Sequence, residues 1–493
     1  MSTITLSIVV FLICMDIGGA PFGVEAAVGA VGPLFALLST LIFPFIVGVP
    51  YTHITAELSS IAPTLRSPFW GLFICSVKYF SGIVDLAISA VLCLKYLENA
   101  SSYFTGRYPR ALFLLLSTLS LSFLNYIGLL RRGRYTSACF FLLPLFLSLP
   151  MSLIAISRIS IHRCFSTGQE GVPKNWNLLL ITFLWKLKFW EFDREVLTGN
   201  VQEKSLLFKA HFISVTLTCF TLVVPIAAIA GALSVNQDEW KNGFFVIAAE
   251  MIGRRWLRVL IQIAAALSTV KEFEDGMTNC SYQLMGMVKK GYLPHFIGSQ
   301  SKRFHTSWVA ILVSTGLATI LFADLKFLAA WLGFFRSFTV LLELTLFLCL
   351  RWEWPEQNGT FPARMRMPGL VVMCLVVSMP YVFTLALTRS LVFPIMACVT
   401  FAVIALLYLL MQQCKKKRWL RFTNSEEHAN GEERSGAASD VPANSIHGGH
   451  HGHGDGNKTG DFSSERLHSD KSDGTIGFTE SDSGALDLGT TLP

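Results

Sequence analysis

Twelve times in its first 413 residues the chain passes through about 20 mainly apolar side chains, the length a helix needs to cross the hydrocarbon of a bilayer. These runs lie near 3–29, 33–58, 68–94, 110–130, 135–157, 176–198, 206–233, 254–285, 306–323, 326–350, 367–387 and 390–413. Lipid cannot hydrogen-bond a peptide group, so a chain of this kind must satisfy its backbone within helices. The pattern therefore predicts an all-α polytopic membrane protein of about twelve transmembrane helices. Composition agrees: 52% of the 493 residues are hydrophobic and 15% charged, against roughly 25% charged in soluble domains. An ordinary cytosolic enzyme and a disordered scaffold are both excluded.

Charge divides the chain in two. Residues 422–493 hold 13 Asp and Glu against 4 Lys and Arg, a net of −9, which leaves +16 on residues 1–421. The expected organisation is a transmembrane core over 1–421 and an acidic tail over 422–493. The tail is rich in His, Ser and Gly, and too poor in apolar residues to fold. Its HGGHHGH run (447–453) reads as solvated low complexity, with a weak metal site as the alternative. With both termini cytoplasmic, the inner loops carry 18 Lys and Arg and the outer loops 12. That bias favours cytoplasmic termini and explains a basic body without nucleic acid as a partner.

The opening apolar stretch lacks a basic n-region, and Pro21 would follow any cut at Gly18-Gly19-Ala20, so an uncleaved first span is expected. The 11 cysteines form no CxxC pair or zinc-spaced set, and buried free thiols are expected. No P-loop, GxSxG, HExxH or dinucleotide fingerprint stands in context, so the chain reads as neither an enzyme nor an ATP-driven pump, with no cofactor and no metal.

Within the first span, Gly18-Gly19-Ala20-Pro21-Phe22-Gly23 interrupts the helix. Proline removes a donor, and three glycines make helix costly. At membrane depth such a break survives only inside protein or beside a water-filled cavity, where freed amides and carbonyls can hold an ionic cargo. A packing kink is the simpler alternative. Glu25 follows the break and is a candidate for meeting a cation or proton. Other charges inside the spans include Lys78, Asp85, Lys186, Lys271, Glu272, Glu274, Asp275, Arg336 and Glu343, with Asp85 and Glu343 deepest in apolar sequence. Charges at this depth are expensive and default to pairing or function.

Several motifs are specific. GGAPFGVEAAVGAVGPLFALLSTLIFPFI (18–46) with ITAELS (54–59) resembles the opening two helices of the plant polyamine uptake transporters. These sit in the L-type amino-acid transporter branch of the amino acid–polyamine–organocation superfamily. PFWG (68–71), KYFSGIVD (78–85), AAALS (264–268), SYQLMGM (281–287), GYLP (291–294), LLELTLFLCLR (341–351) and KKRWLRF (416–422) extend the likeness through most of 1–421. The resemblance implies inverted five-helix repeats plus two further helices, with helices one and six broken around a mid-membrane substrate site. It also implies proton-coupled secondary transport of a polyamine or amino acid across a cell membrane, most simply the plasma membrane. On this footing Gly18, Gly19, Pro21, Phe22, Gly23, Phe189 and Trp190 are the expected substrate-binding residues, and Glu25 and Glu191 the expected proton or cation handlers. No disulfide-linked accessory subunit is expected, because the loop 95–109 has no cysteine.

The sixth span departs from the family pattern. In LWKLKFWEFDREVLTGNV (184–201), Lys186 and Lys188 replace two asparagines, Phe189 a tyrosine and Glu191 an aspartate. The segment 60–67 is about a dozen residues shorter than its counterpart. Lysines facing the cavity would oppose a polycation. Pairing with Glu191, Asp193 or Glu195 would remove the conflict. The second reading, a non-transporting relative acting as a sensor or partner, turns on those two lysines.

Overall fold

The computed structural model describes residues 6–17, 21–61, 68–98, 106–128, 134–169, 171–186, 204–353, 367–388 and 390–422. Long helices dominate the described residues, as lipid demands of a spanning backbone. In chain order they are α1 (Leu6–Ile17), α2 (Glu25–Val31), α3 (Pro33–Phe43), α4 (Val49–Ile61), α5 (Pro68–Glu98), α6 (Arg107–Ile127), α7 (Arg134–Ile156) and the short α8 (Ile161–Cys164). They continue with α9 (Trp176–Lys186), α10 (Lys204–Ala232), α11 (Phe244–Lys289), α12 (Trp308–Ile320), α13 (Leu325–Glu353), α14 (Met367–Leu387) and α15 (Val392–Lys416).

Each of the twelve apolar runs has its helix. Eight spans among the described residues are long and apolar enough to cross a membrane by themselves, and α12 is a shorter apolar helix. The other three spans are the interrupted first (α1 and α2), the sixth, described only as α9, and the charge-bearing α11. The second span is α3 and α4, joined through a wide π turn at Pro44–Gly48. Pro44 has no N–H to give the preceding turn, and the widened turn absorbs the missing bond.

α11 runs for 46 residues but is kinked at Arg254, whose φ of 64° is non-helical. The apolar run predicted from 254 thus corresponds to the stretch beyond the kink. The turns before it form an additional helical segment that apolar length alone does not reveal.

The arrangement turns a soluble protein inside out. α5 packs along both α11 and α13, and α2 packs on α9. At the periphery, α6 exposes Leu112, Leu116, Leu119 and Phe123, spaced as one helical stripe, and α15 exposes Val399, Val403, Leu406 and Leu410. Apolar faces of that extent belong against acyl chains. Between helices in lipid, close approach replaces the hydrophobic effect as the main attraction. Gly82 of α5 lets the backbone meet α11, since a Cβ there would stand 2.7 Å from Cys280 Sγ. Buried hydroxyls are satisfied locally: Thr40, Thr52, Ser214, Thr315 and Ser337 each donate to the carbonyl four residues back.

Candidate transport site

The glycine–proline interruption is a true gap in the first span. Residues 21–24 are non-helical between α1 and α2, and Gly18 and Gly19 lie outside the described residues. Gly23 has φ +96°, and a Cβ on it would approach Trp185 Cη2 to 2.9 Å. Glycine is therefore required twice, for the backbone sign and for the indole against it. Phe22 is fully buried, edge-on to Tyr96 at 5.7 Å and to Phe245 at 6.3 Å. Pro21 is buried beside it.

Glu25 is also fully buried. Its carboxylate accepts the Gly23 N–H at Oε2 (2.6 Å) and the Tyr96 hydroxyl at Oε1 (2.8 Å). A carboxylate in the first turn of a helix meets the positive end of the backbone dipole. Here it also satisfies an amide released by the break. Glu25 is thus built into the interruption, held from α5 by a phenol.

The described half of the sixth span closes on this break. α9 brings Trp185 over Gly23 and carries Lys186 next to it. Lys186 is buried and forms an ion pair with Glu272 of α11. Glu272 lies 86 residues further along the chain. The nearer acids Glu191, Asp193 and Glu195, with Lys188, Phe189 and Trp190, lie outside the described residues. The buried Arg336 of α13 donates to the carbonyls of Leu184 (2.7 Å) and Trp185 (3.2 Å) in the last described turn of α9.

Arg336 also belongs to a ladder of charges between α5 and α13. Its Nη2 lies 3.9 Å from Asp85 Oδ2, both side chains being buried. Seven residues away on each helix, Lys78 pairs with Glu343, which also accepts the Tyr51 hydroxyl of α4. Seven residues are two helical turns, so Lys78 and Asp85 share one face, as do Arg336 and Glu343. Numbers rise along one helix as they fall along the other, as antiparallel neighbours require. Asp85 and Glu343 are therefore buried polar contacts, as their depth in apolar sequence predicted. The signal that could have paired them was the matched spacing of seven.

Elsewhere, Lys271 pairs with Asp275 one turn on, while Glu274, also buried, accepts from Asn125 Nδ2 (3.0 Å). Glu25 and Glu274 make no ion pair among the described residues. Tyr96 and Trp185 touch the break at Glu25 and Gly23, and Glu272 and Arg336 reach it through α9, beside the predicted Pro21, Phe22, Gly23 and Glu25. The first two are apolar-looking letters whose role appears only in three dimensions. Among the described residues no three His, Cys, Asp or Glu side chains gather in a metal-like group.

A broken span whose gap packs against a neighbouring helix among buried charges is the architecture of a membrane carrier. The chain belongs to the amino acid permease family, whose sequence model matches residues 4–411. It is 33% identical over 445 residues to the polyamine transporter RMV1 of Arabidopsis thaliana, covering 87% of this chain and 89% of that protein. It is 32% identical over 459 residues to the polyamine transporter PUT1 of Oryza sativa subsp. japonica, covering 89% and 84%. A probable polyamine transporter of Arabidopsis thaliana is 32% identical over 461 residues, covering 90% and 94%. The chain is accordingly a transporter of a small-molecule substrate, integral to a membrane, and not an enzyme.

Proposed function

We propose that this transporter imports polyamines, driven by a proton gradient, across the plasma membrane with both termini in the cytoplasm. The observation that carries the reading is likeness over nearly the whole chain to proteins named as polyamine transporters in two plants. The buried charges support it. Lys186 is neutralised by Glu272, so the lysine that replaces a family asparagine need not repel a cationic cargo. At the break itself Glu25 is an acid held by neutral donors, which suits a site that takes positive charge.

In this reading Gly18, Gly19, Pro21, Phe22 and Gly23 at the interruption bind the cargo, and Phe189 and Trp190 are proposed as further substrate-binding residues. Glu25 and Glu191 are the groups proposed to respond to protons. Cytoplasmic termini follow from the excess of Lys and Arg in the loops on that side.

The test is uptake by liposomes bearing the full chain. Labelled spermidine, putrescine and leucine are each supplied with and without an inward proton gradient. Saturable spermidine uptake that rises with the gradient is the expected result. Uptake of leucine alone would transfer the assignment to amino acids, and movement of none would remove it. Gly23→Val is expected to reduce spermidine uptake by about tenfold or more, because the added branches meet Trp185 at a positive φ.

A further inference from the structure

α11 and α15 stop in the same kind of turn. After α11 the Tyr292 N–H returns to the Met287 carbonyl (2.9 Å), and Gly291 takes φ +69°. After α15 the Trp419 N–H returns to the Cys414 carbonyl (3.1 Å), and the residue at the left-handed position is Arg418, at φ +53°. Glycine meets that geometry without steric cost and arginine does not. The His295 N–H then bonds the Arg421 carbonyl (2.9 Å), which ties the two chain segments together. Residues 289–303 and 415–421 hold nine Lys and Arg, all exposed. No Asp or Glu occurs between Asp275 and Asp324, or between Glu356 and Glu426. Large apolar groups stand among these cations: Trp419 is 70% exposed, with Lys417 Nζ 4.9 Å from its ring centre, and Phe296 is 54% exposed.

We propose that this surface binds the headgroups of anionic phospholipids, with the cations on the phosphates and Trp419 and Phe296 at the level where headgroups meet acyl chains. Position, charge and shape each point to that occupant. α15 turns an apolar face to the bilayer, so the turn that ends it lies where hydrocarbon gives way to headgroups. A run of cations directly beyond a spanning helix is attracted to anionic lipid. Exposed rings interleaved with those cations suit an amphiphile rather than a free anion. Arg418 adds an independent sign, since a cation stands where glycine fits the backbone better. A headgroup seated here draws on the ends of both α11 and α15 and holds them together. The site lies outside the break, and its occupancy does not depend on which cargo the carrier moves.

The full chain in detergent is melted with added phosphatidylserine, phosphatidylcholine or inorganic phosphate, and the lipids it retains are counted by native mass spectrometry. Phosphatidylserine is expected to be retained and to raise the melting temperature more than phosphatidylcholine does, while phosphate alone does neither. The triple variant Lys415→Gln, Lys416→Gln, Lys417→Gln should need at least about tenfold more phosphatidylserine for half-maximal stabilisation, each cation near a lipid surface being worth about fivefold in affinity. The corresponding triple change to Arg should stay within about twofold. Arg418→Gly separates charge from structure. It suits the left-handed turn, so the lipid-free protein should melt higher, yet its response to phosphatidylserine should weaken by about fivefold. Arg107→Gln with Arg255→Gln, both exposed at the other ends of α6 and α11, should leave that response unchanged.

Equal stabilisation by the two lipids, or an undiminished phosphatidylserine response in the triple Gln variant, would overturn the proposal. So would an equal loss in the Arg107, Arg255 pair, which would show attraction to the protein's overall charge rather than to this surface. If the triple Gln variant does not fold, Arg418→Gly decides: an unweakened lipid response there overturns the proposal as well. Stabilisation by inorganic phosphate to the same extent as by phosphatidylserine would make the surface a site for a free anion instead.

Discussion

α5 and α15 are both uninterrupted helices able to span a bilayer, yet their fates differ. The apolar window of α5 is 72% buried and that of α15 17%. The buried helix is the more polar of the two. α5 carries Lys78, Asp85, Lys95 and Glu98 together with Ser76, Ser81 and Ser89, whereas α15 is uncharged until Lys415. In water the more apolar helix goes inside. In lipid an apolar face is already solvated, and the helix that needs protein around it is the one whose polar groups need partners.

Substitutions that attack those partners should therefore outweigh substitutions on the oily face. Glu343→Leu is expected to have the largest effect. It takes the acid from Lys78 and an acceptor from the Tyr51 hydroxyl, costing about 2–3 kcal/mol, toward the low end for a broken buried pair because Lys78 is half-exposed. The loss is measurable as a lower melting temperature of the purified protein. Adding Lys78→Met should recover most of it, and a double-mutant cycle without recovery would show that the pair is not the source.

Gly82→Val comes next. It wedges α5 from Cys280 of α11, at an expected cost of about 1–3 kcal/mol. A companion Cys280→Ala, which clears the nearest atom, should restore part of the stability. Glu98→Gln, at the end of α5 where Lys95 and Arg110 approach in partly open surroundings, should cost under about 1 kcal/mol and less in high salt. Val403→Ala on the exposed face of α15 should fall within about 0.5 kcal/mol. A large effect there would mean that another protein, rather than lipid, covers this face.

The contrast also explains what the letters could and could not tell. Span positions were legible because apolar length is a local property, and so was the gap, since glycine and proline act on their own backbone. The family motifs located Pro21, Phe22 and Gly23, which do line the interruption. Partnerships were harder. Lys186 has an acid in Glu272 on another helix, and sequence proximity carries no information about that pairing. Tyr96 reads as an ordinary aromatic near a helix end until its hydroxyl is seen on Glu25. The early turns of α11 were missed because Glu250, Arg254 and Arg255 make the segment too polar for an apolar search, though its helix is regular up to the kink.

The ladder between α5 and α13 restricts how the molecule can move. Its rungs are about 10 Å apart and opposite in polarity, Lys78 to Glu343 and Asp85 to Arg336. Sliding one rod past the other by a single rung would set Lys78 against Arg336 in one direction and Asp85 against Glu343 in the other, like facing like both ways. Shear is thereby penalised, and the two rods travel as one strut, about which the gapped segments α2 and α9 are left to tilt.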